Sequence, residues 1–482
     1  MAMRPRAWTW RENSCAFDKN GDLRAVTVMN TSLFKTGATV ANWYKAAGSQ
    51  TWTRLAEFGV DEDYWVPIYV PDEPNALVVS SRIGRDTRAL FHYDIAANRQ
   101  TELLAGHPTQ DIVSFAGIDK ASLDYVATAA MTREQIWFEP DWAGMQKQID
   151  VLLPGRINLI AGDPRRAVLV RSYSDVDPGT WYYFDIAKKS LVLVGKVRTD
   201  IDPQRMRPME IVSYKAADGL SIPAYLTRPA NQAGPAPMVV LIHGGPLARD
   251  RWGWDADVQV LADRGYLVFQ PQFRGSSGFG RKFEQAGFGE WGKAMQDDIT
   301  EGVRYMVAQG IADPRRICIV GASYGGYAAL WGLVKTPDLY RCGISFAGVT
   351  DIGYLFTDWS DSRFDKAARQ LMMRQIGDKS MSAQLFDPVS PLKHASGIQA
   401  PVLLMHGSED ERVPIGHGRR MRDALEANGK KVTWIVFDGE GHGLYYQRNQ
   451  IAYYKAMFDF LGKHLPVATA PASAANTAPR VE

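Results

Sequence analysis

Residues 317–332 read ICIVGASYGGYAALWG. A short apolar run meets a serine set among glycines, and a helix-forming stretch with almost no polar side chains follows. Gly321-Ala322-Ser323-Tyr324-Gly325 fits G-x-S-x-G, directly after an expected strand and directly before an expected helix. That context decides the reading. A serine on so sharp a turn needs a strained backbone, and the glycines are needed where neighbouring chain passes too close for a side chain. The following helix offers its N-terminal N–H groups and dipole to developing negative charge. The bland alternative is a glycine-rich corner with no chemistry.

A hydroxyl is a poor nucleophile without a base. In hydrolases built this way the chain order is Ser, then acid, then His. After the serine the candidates for that base are His394, His406, His417 and His442. His442, in FDGEGHG just past the apolar run VTWIVF (432–437), sits where α/β sites assemble, at a strand's C-terminal end. His406 ends the strand PVLLMH and reads as a local packing or hydrogen-bonding residue, while His394 and His417 read as surface. The loop after PVLLMH supplies Glu409, Asp410 and Glu411, of which Asp410 is favoured as the group that orients His442. The oxyanion needs donors. One is the Tyr324 backbone N–H; the other is expected from His243-Gly244-Gly245-Pro246, at the end of the strand MVVLIH (238–243). The His243 ring itself reads as a brace for that loop.

The surroundings agree with an α/β domain over 205–465. Apolar strands alternate with helices closed by glycines: MVVLIH, a helix capped by Asp255 and Gly265, YLVFQ, a helix from about Gln296 to Gln309, ICIV, the helix after Ser323, GISFA, PVLLMH, a helix ending near Gly429, and VTWIVF. Continuous apolar strands between helices predict a doubly wound, mostly parallel sheet covered on both faces.

Residues 20–200 have a different rhythm, with short alternating segments broken by Gly, Pro, Asp and Asn. Aromatic anchors recur at Tyr44, Tyr93, Phe138 and Phe184, spaced 49, 45 and 46 residues apart. Each precedes a Leu- or Val-rich segment ending in glycine: LAEFG, LLAG, LLPG and LVG. Such a period predicts a propeller-like all-β domain over 1–204, of about four blades with about four strands each. An irregular β-sandwich is the alternative. The tail 466–482, rich in Ala, Pro, Ser and Thr, is expected to be disordered.

Composition narrows the classes. The 482 residues exceed one core, and 46% apolar with 22% charged residues is ordinary for a globular chain. A net charge of +2 without a Lys/Arg run gives no reason to expect nucleic acid as a partner. No apolar run reaches membrane-spanning length, so no membrane partner is expected. The start MAMRPRAWTWRENS has no apolar signal core, which makes a cytoplasmic location the expectation. Three cysteines, an odd count, argue against a disulfide framework; Cys318 and Cys342 read as small buried hydrophobes. GSSGFG (275–280) lacks the Walker Lys and the dinucleotide spacing, and no HExxH or paired CxxC occurs, so neither a cofactor nor a metal is implied.

Taken together, DGLSIPAYLTRP, LIHGGP, QPQFRGSSGFGRKF, WGKAMQDDI, GIADPRRICIVGASYGGYAAL, HGSEDERVP and GEGHG resemble the prolyl oligopeptidase family, in its acylaminoacyl-peptidase and dipeptidyl-peptidase-like branch. The resemblance covers roughly 210–462 and implies an α/β-hydrolase peptidase domain capped by an N-terminal β-propeller. It implies Ser323, Asp410 and His442 as the triad, and the backbone N–H groups of Gly245 and Tyr324 as oxyanion donors. Three departures matter. The family's propeller has seven blades, so here the cap is reduced or its N-terminal blades and any signal peptide are missing. The tyrosine that supplies an oxyanion donor in prolyl oligopeptidases proper is absent from the His243-Gly244-Gly245 loop. The Glu-Glu pair that holds the free amine in dipeptide-releasing members occurs nowhere.

The expected reaction is acyl transfer from short peptides to water. A histidine base works unprotonated, which sets a neutral to mildly alkaline optimum. Tyr354, Phe356 and Trp359, after GISFA, are candidates for an apolar substrate pocket, with packing at the domain edge as the alternative. A carboxylesterase using the same triad is the second enzyme reading, and a binding propeller with a hydrolase relic is the non-enzyme reading. Homo-oligomers are an expectation carried by the family resemblance.

Overall fold

The computed structural model describes residues 15–30, 39–59, 62–116, 123–230, 232–358, 372, 374–377 and 383–467. The tail expected to be disordered lies outside the described residues from 468 onward.

The C-terminal half is built on one eight-stranded sheet. Its strands are β1 (Met209–Lys215), β2 (Ser221–Thr227), β3 (Ala236–Ile242), β4 (Leu267–Pro271), β5 (Ala312–Ala322), β6 (Cys342–Phe346), β7 (Val402–Gly407) and β8 (Val432–Phe437). Their order across the sheet is β1-β2-β4-β3-β5-β6-β7-β8. Pairing is parallel from β4 through β8, and β2 alone runs against the other strands.

Strand alternation divides the apolar residues between two cores. Met238, Val240, Ile242, Ile317, Ile319, Val402 and Leu404 face one core, shared with the helices Ala294–Ala308 and Tyr324–Lys335. Val239, Cys318, Val320, Leu403 and Met405 face the other, shared with Ala256–Asp263 and Gln447–His464. Both faces are therefore covered, and each fully buried aliphatic side chain contributes about 1.5–3 kcal/mol of transfer free energy. The helix Ala256–Asp263 starts as its sequence says: the Asp255 carboxylate caps it by accepting from the Val258 N–H at 3.0 Å.

The same pairing corrects the reading of the cysteines. Cys318 and Cys342 are register partners on β5 and β6, with Cα atoms 4.8 Å apart, and they form a disulfide. Both are fully buried, as small hydrophobes would be, but the sheet order places them side by side.

In the N-terminal half, the strands of the described residues fall into four antiparallel meanders, over 15–59, 65–105, 112–137 and 157–196. Neighbouring meanders share buried residues. Tyr44 of the first packs in one core with Trp65, Leu77 and Tyr93 of the second. Val78 and Leu90 of the second share another with Ile112 and Val126 of the third. The aromatic anchors take equivalent places: Tyr44, Tyr93 and Phe184 lie buried on the third strand of their meanders, and Phe138 directly follows the third strand of its own. The third meander departs from the expected four strands. Its LLPG segment ends the helix Pro140–Leu152, which stands where a fourth strand was expected. Proline at the first helical turn and the buried stripe Trp142, Met145 and Ile149 explain that helix.

Candidate active site

Ser323 lies between the end of β5 and the helix Tyr324–Lys335, with φ 59° and ψ −120°. A non-glycine residue there is strained by roughly 1–3 kcal/mol, and surrounding contacts must hold it. They do so by crowding. A Cβ on Gly325 would overlap the Ile242 carbonyl at the end of β3, and one on Gly321 would overlap the Gly325 main chain. On Gly326 it would come 2.7 Å from Ser345 Oγ and 2.8 Å from the Gly348 Cα. The Ser323 N–H donates to the Phe346 carbonyl at 3.0 Å, tying the turn to β6. Behind the turn, every helix residue from Tyr324 to Leu333 is buried.

The His243–Pro246 loop lies against this serine. A Cβ on Gly244 would stand 3.4 Å from Ser323 Cβ and 4.0 Å from its Oγ. Gly245 has φ 123°, which glycine tolerates and other residues do not. The His243 ring stacks on Phe273 at 4.4 Å between centroids. Burial pushes its pKa down to about 4, so the ring is neutral at pH 7. Its Nδ1 donates to the Gly244 carbonyl at 2.8 Å, and its Nε2 lies 3.0 Å from Ser276 Oγ, whose proton goes to the Phe273 carbonyl at 2.7 Å. His243 is thus placed as the brace its sequence position suggested. Tyr324 is buried with its ring edge-on to Trp291 at 4.6 Å. Its hydroxyl finds no hydrogen-bond partner among the described residues, and burial pushes the phenol pKa up.

Asp410 and His442 come together from the loops after β7 and β8. His442 Nδ1 donates to Asp410 Oδ2 at 2.7 Å. Asp410 Oδ1 accepts from the Arg412 and Val413 N–H groups, each at 2.9 Å. His406, buried at the end of β7, directs Nε2 to the Val413 carbonyl at 2.8 Å and lies 3.5 Å from Asp410 Oδ2. Burial alone would raise the Asp410 pKa, but the hydrogen bonds from His406 and His442 outweigh it and hold the carboxyl well below its usual range.

Backbone bonds carry this geometry across the strand ends. Ala347 N–H donates to the Met405 carbonyl at 2.8 Å, Ser408 N–H to Phe437 at 3.0 Å, and Glu409 N–H to Glu440 at 2.9 Å. Glu440 is a site residue that the sequence reading missed. Its carboxylate has no exposed surface and accepts from the Tyr445 N–H at 2.7 Å, the Tyr446 N–H at 2.9 Å and Asn449 Nδ2 at 2.9 Å. It fixes both sides of the loop that presents His442. Its place between Gly439 and Gly441, two residues before His442, was the available signal.

Two other expectations change. His417 is fully buried rather than at the surface. It opens the helix Gly416–Ala427, where Nδ1 accepts from the Thr350 N–H at 3.2 Å, and burial pushes its pKa down to about 3. Tyr354 is half-buried on the helix Ile352–Asp358, packed against the His417 ring at 4.8 Å and under the Arg420 guanidinium at 4.1 Å. Phe356 lies on the same helix, its side chain outside the described part, and Trp359 lies outside the described residues. Among the described residues no cluster of His, Cys, Asp or Glu could hold a metal ion, and no helix is long and apolar enough to cross a membrane.

The chain is 31% identical over 397 residues to dipeptidyl aminopeptidase BIII of Pseudoxanthomonas mexicana, covering 79% of this chain and 57% of that protein. It is 29% identical over 217 residues to an acylamino-acid-releasing enzyme of Arabidopsis thaliana, covering 43% of this chain and 28% of that one. The chain thus spans little more than half the length of the first relative and less of the second. A Mycobacterium tuberculosis puromycin-hydrolyzing peptidase shares the fold, with TM-score 0.78 and 20% identity over 96% of this chain and 71% of that chain. Residues 252–467 match the prolyl oligopeptidase family of peptidases, and that part of the chain belongs to the family.

Proposed function

We propose that this chain is a serine peptidase that hydrolyses short peptides through an acyl-enzyme. Ser323 attacks the scissile carbonyl while His442 Nε2 takes its proton. The Gly245 and Tyr324 backbone N–H groups donate to the oxyanion. His442 then protonates the leaving amine, and water repeats the sequence to free the acid.

The observation that carries this reading is the 2.7 Å bond from His442 Nδ1 to the buried Asp410 carboxylate. It sets Nε2 as the proton acceptor and leaves the carboxylate ready to stabilise an imidazolium. Within the family, the reading favours an aminopeptidase or acylaminoacyl-peptidase with apolar preference at the cleaved residue. The absent Glu-Glu pair and the helix Ile352–Asp358 following β6 support it.

The test is labelling by a fluorophosphonate probe, followed by a panel of N-acetylated, free-amine and internally blocked peptides with a p-nitrophenyl ester alongside. Labelling that survives Ser323→Ala would overturn the nucleophile assignment. Turnover of the ester with none of the peptides would move the function to a carboxylesterase.

A further inference from the structure

The loop that carries Gly245 continues to Arg249, and the Arg249 side chain reaches the N-terminal half. Its Nη1 donates to the Ala129 carbonyl, in the turn between the strands Tyr125–Thr128 and Gln135–Trp137. Its Nη2 lies 3.4 Å from Met131 Sδ, and Nε donates to the Asp250 carbonyl at 3.2 Å. The guanidinium carbon sits 4.0 Å over the Phe279 ring. The half-buried cation is thus fixed in one orientation by two carbonyls, a thioether and a ring.

The other side of the contact is equally specific. Met131 packs against the apolar cores on both faces of the sheet, and its carbonyl accepts from the Tyr225 hydroxyl at 2.6 Å. Gly278 leaves the room this needs: a Cβ there would stand 2.7 Å from Ala129 Cβ and 2.9 Å from Arg249 Nη1. The Gly278 carbonyl accepts from the Asp111 N–H at 3.0 Å, and the Asp111 carbonyl accepts from the Ala129 N–H at 2.7 Å. The Ala248 carbonyl accepts from the Ser277 N–H at 3.0 Å. Segments 129–131, 248–249 and 277–279 therefore interlock in one layer. The loop under Gly245 is pinned at its start, where His243 meets Ser276, and at its end by Arg249.

We propose that Arg249 is a positioning residue that couples the N-terminal β-region to the loop bearing Gly245, so that acyl transfer at Ser323 depends on the 129–131 turn being docked. The proposal rests on the reading of Ser323 as nucleophile. Losing the contact lets the loop drift from the oxyanion while leaving the substrate's other contacts in place.

Arg249→Met, Arg249→Lys, Met131→Ala and the Arg249→Met/Met131→Ala pair test it in the full chain. Arg249→Met should lower kcat by at least about tenfold and by no more than the roughly hundredfold to thousandfold of a lost oxyanion donor, with KM changed less than about twofold. Fluorophosphonate labelling should slow in step, Arg249→Lys should recover part of the rate, and the double variant should lose no more than Arg249→Met alone. Should Arg249→Met fail to fold, Met131→Ala should still lower kcat without raising KM. A folded Arg249→Met chain with unchanged kcat, a rise in KM alone, or multiplicative losses in the double variant would overturn the coupling. A wild-type chain unlabelled at Ser323 would instead overturn the nucleophile reading, and the coupling with it.

Discussion

Around Ser323 the restraints are steric, and around His442 they are polar. Gly321, Gly325 and Gly326 leave no space for a methyl group, and the turn is clamped between the ends of β3 and β6. His442 is instead held by two buried carboxylates, Asp410 on its ring and Glu440 on its loop. The difference teaches that the proposed nucleophile and its proposed base should fail in different ways. The serine turn should be sensitive to added volume, and the acid–base pair to charge and to pH.

The most damaging single change should come on the polar side. Asp410→Asn keeps the shape but favours the wrong imidazole tautomer, and a loss in kcat on the order of ten-thousandfold is expected with KM little changed. Steady-state kinetics would check it, and a loss under tenfold would separate Asp410 from the chemistry.

On the steric side, Gly325→Ala drives a methyl into the Ile242 carbonyl. Overpacking of this kind costs typically 1–3 kcal/mol, and the turn should move with it. A lower melting temperature together with slower fluorophosphonate labelling is expected. Normal values of both would show that crowding does not hold the turn.

Glu440→Gln keeps the volume and removes the charge from three hydrogen bonds. The His442 loop should loosen, and kcat should fall roughly tenfold through misplacement of the base. A kcat and pH profile unchanged from wild type would argue against a role through His442.

Acid should expose the buried histidines. His243 and His417 hold folded pKa values of about 4 and about 3, below the ordinary 6.5, because both are buried. As pH falls below 6.5 the unfolded chain takes up protons that the folded chain refuses, so stability falls with acidification across that window. Asp410 adds a further loss only below the ordinary carboxylate range, because its folded pKa is depressed. Melting curves between pH 7 and about pH 4.5 should show a shallower decline for His417→Gln than for wild type. Parallel declines would remove His417 from the account.

The smallest effect belongs to Tyr324→Phe. The hydroxyl is buried without a partner among the described residues, and such a group costs free energy to bury. The substitution should leave kcat unchanged and the melting temperature equal or slightly higher. A large fall in kcat would mean that the side chain, and not the backbone N–H, matters to the reaction.

What the sequence made legible follows the same divide. Ser323 could be singled out because its signals are local: strand, glycines and apolar helix adjoin it in the chain. Asp410 and His442 could be read because strand ends mark where loops meet. Glu440 could not, since its partners Tyr445, Tyr446 and Asn449 are polar neighbours in a stretch without periodicity. His417 looked exposed because its helix is strongly polar; the Thr350 N–H that it accepts comes from 67 residues away. Cys318 and Cys342 paired only once β5 and β6 were known to be neighbours. The Arg249 contact spans 120 residues and joins the two halves of the chain, and no local pattern signals it.

The overlap that Gly325 avoids with the Ile242 carbonyl has a further consequence. That carbonyl ends β3, and the next residue begins the loop that carries Gly244 and Gly245. The gap between the hydroxyl and the oxyanion loop is therefore a ruler made of two main chains in contact, with no adjustable side chain between them. Selection for a new substrate has little to vary at 242–245 or 321–326. Libraries aimed at selectivity belong on the helix Ile352–Asp358, which is part of neither main chain of the ruler nor of the 129–131 turn that holds Arg249.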